Sequence, residues 1–131
     1  MIHRSLQIKS STHTEMIDIT SEIESLLRSA GTEEGLCHVY CPHTTCGLTI
    51  NENADPTVKS DILMELDRRF PWDDGYRHME GNSAAHIKAS LMGFSLSIPV
   101  SQGRLMLGTW QGIYLCEFDG PRNRRLIVSV S

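Results

Sequence analysis

Between Tyr76 and Lys88 the chain gathers His78, Glu80, Asn82, His86 and Lys88 around Gly81. Imidazoles and carboxylates are the usual carriers of general acid–base chemistry, neutral imidazole also ligates zinc-like ions, and a lysine ammonium attracts phosphate. The same stretch opens a predicted helix. Asn82 or Ser83 can cap it, Ile87 and Leu91 mark an apolar face, and Gly93 stops it. His86 and Lys88 then fall in the first turns, where free backbone N–H groups and the helix dipole favour an anion. Taken alone, this is half of a site.

Two further clusters offer the other half. Cys41-Pro42-His43-Thr44-Thr45 is followed by Asn51-Glu52-Asn53-Ala54-Asp55, at a strand end and a helix start where loops present ligands. His43 could join His78 and His86 as a third metal ligand, although the spacing of His78 and His86 is not one that a zinc motif demands. Asp55 serves equally as a helix cap, and a lone histidine is ordinarily a hydrogen-bonded structural residue. His38, on one side of a strand with Leu36 and Tyr40, reads as a satisfied core histidine. The third cluster is Gly103-Arg104 with Gly108-Thr109-Trp110-Gln111-Gly112, where glycines permit close backbone approach and Arg104 offers a fork for phosphate. A bulged hairpin around a packed tryptophan explains it as well. Arg122, Arg124 and Arg125 read as a solvated turn.

These clusters need elements to hold them. Residues 2–9 alternate as a strand, and a polar turn at Ser10–Thr14 leads to a helix with Ile19, Ile23, Leu26 and Leu27 on one face. Leu36–Cys41 and Thr44–Asn51 read as strands. Asp55 and Pro56 begin a helix carrying Val58, Ile62, Leu66 and Phe70, which Pro71 ends. After the Asn82–Gly93 helix come strands at Phe94–Val100, Arg104–Leu107, Ile113–Phe118 and Arg125–Val130, with Pro99 suggesting an edge or a bulge. The order predicts an α+β fold: a single domain over residues 1–131, mainly an antiparallel β-sheet sandwich with about three helices.

Composition narrows the function. A chain of 131 residues, 40% hydrophobic and 21% charged, suits one globular domain. Its net charge of -4, with no basic run, argues against nucleic-acid binding through phosphate contacts. No stretch suits a signal peptide or a membrane span, so the expectation is a cytoplasmic protein with no membrane partner. Cys37 and Cys41 share an inward face with Val39, Cys46 and Cys116 look isolated, and no C-x-x-C pair occurs. The expectation is reduced, mostly structural thiols.

Together the clusters carry a resemblance. His43-Thr44-Thr45, Leu48-Thr49-Ile50-Asn51-Glu52-Asn53, Asp55-Pro56-Thr57-Val58, His78, Glu80-Gly81, His86-Ile87-Lys88-Ala89-Ser90, Pro99-Val100, Gly103-Arg104 and Gly108-Thr109-Trp110-Gln111-Gly112-Ile113 resemble the YjbQ family, the secondary thiamine-phosphate synthase enzymes, over nearly the whole chain. The resemblance implies a homotrimer with polar pockets near its subunit interfaces. It also implies a weak thiamine-phosphate synthase activity that joins a pyrimidine-methyl diphosphate to a thiazole phosphate. On that reading His43, Glu80, His86 and Lys88 are the catalytic candidates, while His38, Thr44, Asn51, Glu52, Asn82, Arg104 and Gln111 bind a small phosphorylated metabolite. A divalent ion, zinc or magnesium, would sit among His43, His78, His86 and Asp55, with Glu52 and Glu80 as further magnesium candidates; no organic cofactor is expected. Two other readings use the same residues: a zinc-dependent enzyme acting on another phosphorylated metabolite, and a non-enzymatic trimeric binding protein.

Overall fold

The computed structural model describes residues 1–131. In chain order it has β1 (Ile2–Lys9), β2 (Glu15–Asp18), α1 (Thr20–Ala30), β3 (Gly35–Tyr40), β4 (Cys46–Glu52), α2 (Pro56–Arg69), α3 (Ser83–Met92), β5 (Ser95–Ser101), β6 (Arg104–Leu105), β7 (Gln111–Glu117) and β8 (Asn123–Val130). A five-stranded sheet runs β1-β8-β3-β5-β6 and a three-stranded sheet runs β2-β7-β4, every pair antiparallel. The expected α+β class, antiparallel sheets and three helices are all present.

Alternation sets the layers. On β3 and β8, Cys37, Val39, Leu126, Val128 and Val130 turn inward, and with Leu48, Ile113 and Leu115 of the small sheet they fill the main core. α1 adds Ile23 and Leu27 to it, and Gly31, in the left-handed region at φ 72°, closes that helix. The opposite face of the small sheet builds a second core, where Tyr114, Cys116 and Phe118 meet Ala85 and Ala89 of α3 and partly buried Ile62 and Leu66 of α2. β7 is therefore covered on both faces, which explains its nearly unbroken apolar run.

Two sequence expectations change. Glu15–Asp18 is a strand, not the approach to a helix: Met16 and Ile17 find partners in Cys116 and Leu115 of β7, a pairing that no local pattern reveals. The buried face of α3 is Ala84, Ala85, Lys88 and Ala89, whereas Leu91 is exposed. Small residues win there because α3 lies close against β4, where a Cβ added to Gly47 would meet the Gly93 carbonyl oxygen at 2.8 Å and the Met92 Cβ at 3.0 Å. On β5 the Pro99 expectation is met on one side: β3 pairs the strand from Ser95 to Val100, but β6 pairs only Val100 and Ser101, so Pro99 stands where that second partner ends.

Candidate functional site

Three chain segments meet at one end of the sheets around a polar pocket of about 450 Å³ with no hydrophobic lining residue. The β3–β4 loop gives Pro42, His43, Thr44 and Thr45; the approach to α3 gives His78, Glu80, Asn82 and His86; the β7–β8 turn and the start of β8 give Asp119, Arg122 and Arg124. A turn from His78 to Gly81 is closed by the Gly81 N–H donating to the His78 carbonyl at 3.1 Å. Gly81 takes φ 76°, a left-handed conformation that glycine adopts without strain. The turn folds His78 back over α3, so its ring stands edge-on to that of His86 with centroids 5.6 Å apart.

Asn82 occupies the N-cap position of α3 but does not cap it. Its Nδ2 donates instead to Asp119 Oδ2 at 2.9 Å, and Arg122 donates to the same carboxylate oxygen at 3.0 Å. The Asn82 side chain is buried, and its Oδ1 has no hydrogen-bond partner. A buried acceptor without a donor costs stability, and the helix start beside it keeps N–H groups that no side chain occupies. Both features suit a site that completes its bonding with a ligand.

Beneath the pocket lies a buried ion pair, and Arg124 belongs to it and not to the solvated turn that the sequence suggests. Arg124 Nε and Nη2 fork onto both oxygens of Glu117, at 2.8 and 2.5 Å, and Nη2 also donates to Thr45 Oγ1 at 2.9 Å. Ser10 Oγ and the Asp119 N–H donate to the same carboxylate. Burial alone would raise the Glu117 pKa, but these bonds outweigh it and hold the carboxyl below its ordinary range. The signal was present: Glu117 interrupts an apolar run, and Arg124 shares the inward face of Leu126, Val128 and Val130.

His43 accepts the Arg125 backbone N–H on Nε2 at 2.9 Å. Its neutral ring then carries its proton on Nδ1, which leaves that nitrogen a donor. Burial and the neighbouring Arg124 charge lower its pKa, favouring that neutral form. In this arrangement neither His43 nitrogen has a lone pair free for a metal, which leaves His78, His86, Glu80 and Asp119 as the pocket's metal-ligand side chains. No group of three or more His, Cys, Asp or Glu side chains is placed to share an ion.

The remaining candidates lie elsewhere on this chain. Lys88, buried on α3, reaches Asp67 of α2 at 3.2 Å and does not line the pocket. Asp55 caps α2, its Oδ1 accepting from the Thr57 N–H at 2.9 Å. Asn51 Oδ1 accepts the Glu52 N–H, and the Glu52 carbonyl accepts the Tyr114 hydroxyl. Gln111 Oε1 accepts the Gly108 N–H at 2.8 Å. Arg104 lines a separate polar cleft with Glu24, Arg28 and Glu33. His38 stands in register with Ser97 and Ser129 on the outer face of the large sheet, opposite the core its sequence context suggested. None of the three clusters is whole at the pocket: His43 and Thr44 join His78, Glu80, Asn82 and His86 there, without Lys88, Asn51, Glu52, Asp55, Arg104 or Gln111. The thiols also hold a surprise: Cys41 and Cys46 Sγ atoms lie 3.4 Å apart and hydrogen-bonded. That bond from Cys46 draws the Cys41 pKa below the ordinary thiol value and pushes that of Cys46 up.

Fold and site together define a small α+β protein with a histidine-bearing polar pocket. Residues 4–131 match the family described as UPF0047 protein YjbQ-like. UPF0047 protein YugU of Bacillus subtilis (strain 168) is 55% identical over 128 residues, 97% of each chain. UPF0047 protein YjbQ of Salmonella typhimurium is 46% identical over 111 residues, 79% of this chain and 80% of its own. Among solved structures, a YjbQ/UPF0047 protein from Clostridium acetobutylicum superposes with a TM-score of 0.93 at 53% identity, covering 100% of both chains. A hypothetical protein from Aeropyrum pernix K1 gives 0.95 at 34% identity, covering 100% of this chain and 98% of that one. The chain belongs to the YjbQ-like UPF0047 family.

Proposed function

We propose that the pocket between the β3–β4 loop, the α3 start and the β7–β8 turn binds a small phosphorylated metabolite and transfers a proton to or from it. The observation that carries this reading is the uncapped start of α3: Asn82 is diverted to Asp119, and free N–H groups remain beside two imidazoles and Arg122. His86 and His78 are the acid–base pair, Glu80 tunes them, Thr44 and Arg122 orient the phosphate, and Asn82 Oδ1 accepts from a hydroxyl or amine of the ligand. Lys88 acts at one remove, setting α3 against α2.

The reaction that the family resemblance suggests is the first to test. In thiamine phosphate synthesis the methylene C–O bond to diphosphate breaks, the thiazole nitrogen supplies the pair for a new C–N bond, and pyrophosphate leaves with the old pair. An anion-binding helix start stabilises that departure. Purified protein should form thiamine phosphate from the two precursors, and His86→Ala should lower the rate by about 10²-fold or more. A rate untouched by His86→Ala and Arg122→Ala together would sink the reading. Binding of phosphorylated metabolites in a thermal-shift assay without turnover would favour the non-enzymatic alternative.

The neighbouring His78 and His86 rings favour a second reading, a zinc-type ion held by these two, with water or substrate oxygens completing its coordination. Metal analysis of untagged protein tests it: stoichiometric metal lost in His78→Ala supports it, and metal content unaffected by that change does not. We also propose that the working form is a homotrimer. The outer face of the large sheet supports it, because no element of this chain covers it and it carries exposed Leu36 and Tyr40.

A further inference from the structure

We propose that Cys41 and Cys46 are an oxidisable dithiol whose disulfide restrains the pocket loop Pro42–Thr45. Their Sγ atoms are 3.4 Å apart, and a disulfide requires about 2.05 Å, so closure by about 1.4 Å suffices. The two residues bracket the loop that presents His43 and Thr44 and that gives Thr45 to Arg124. Cys41 is fixed from one side by its N–H bond to the Phe94 carbonyl, and Cys46 is fixed from the other by its place opposite Glu117 on β7. A bond between them therefore tightens the loop and leaves the strands in place. Cys37 and Cys116 are also free and buried but have no sulfur partner.

The oxidant class is a hydroperoxide. The Cys41 thiolate attacks one peroxide oxygen: an S–O bond forms, the O–O bond breaks, and an alcohol or water leaves with the proton. Cys46 then attacks the Cys41 sulfenic sulfur, the S–S bond forms, and the hydroxyl departs as water with the Cys46 proton. Two thiols are oxidised by two electrons and one hydroperoxide is reduced. Both sulfurs are buried, Cys41 at 1% and Cys46 at 0% exposure. Reaction thus waits on opening of a loop whose Pro42 and Thr44 are already exposed.

The test uses the full chain, hydrogen peroxide and intact-protein mass spectrometry. The expected product is lighter by two hydrogen atoms, carries the link between Cys41 and Cys46 on fragmentation, and reverts with dithiothreitol. In Cys46→Ser the link is absent and Cys41 stops at a sulfenic acid that dimedone traps; Cys46→Ala serves if the serine variant misfolds. NMR of the linked protein should show shifted His43 ring and Arg125 amide signals. A link mapped to Cys37 or Cys116, thiols unchanged by peroxide, or a formed link that leaves the His43 and Arg125 signals unmoved would each overturn the proposal.

Discussion

His43 shows how one hydrogen bond narrows a residue's chemistry. Because Nε2 already accepts the Arg125 N–H, the ring enters the pocket as an Nδ1–H donor. Its lowered pKa, caused by burial and Arg124, has a definite sign for stability. The unfolded chain takes up this proton more readily than the folded one. The contribution is therefore present above the ordinary histidine pKa of about 6.5 and lost as pH falls through the lower folded value. Urea unfolding at a series of pH values should show this loss, and His43→Gln, which keeps an acceptor but does not titrate, should flatten it. Deeper in the same site, Glu117 is fully buried against Arg124. Removing one partner strands a charge in the core, so Glu117→Ala should cost about 3–5 kcal/mol in chemical denaturation. A cost below about 1 kcal/mol, the range of exposed pairs, would mean that water reaches the guanidinium.

At the scale of elements, α3 is positioned by smallness. Ala85 and Ala89 let it settle on the small sheet, and Gly47 of β4 leaves room for its last turn. Gly47→Ala puts a methyl against backbone that cannot move away easily. It should destabilise by about 1–3 kcal/mol and shift the NMR signals of His86 with it, while Leu91→Ser on the exposed face should stay within about 0.5 kcal/mol. The same helix shows what a sequence can disclose. Its ends are readable from Asn82 and Gly93, because a stop is local chemistry and Asn82 does stand at the first position, although its side chain bonds Asp119 and not the helix. Its buried face is not, because larger Ile87 and Leu91 outweigh alanines in any apolar pattern and only the proximity of β4 reverses the choice. β2 escaped for a similar reason, being defined by its partner β7. In the site, the meeting of His43 and Thr44 with His78 and His86 was anticipated, and Arg122 and Asp119 were not. They sit on a charged turn that resembles many solvated turns until the fold swings it over α3.

For the molecule as a whole, the two faces of the large sheet are unequal. One is packed on the main core, and the other presents His38, Tyr40 and Ile127 to the surroundings. If trimers form through that face, Tyr40→Asp should shift the light-scattering mass from that of three chains to that of one. An unchanged trimer would place the interface elsewhere. The order of strands in that sheet has a consequence for biosynthesis. β8, the last strand made, lies between β1, the first, and β3. β1 has no other neighbour in its sheet. While the ribosome is still adding residues before Asn123, β1 waits without a partner and β3 keeps one open edge, both with apolar faces ready to pair with another nascent chain. β1 is thus made before the one strand it pairs with, and its edge stays open until β8 is synthesised.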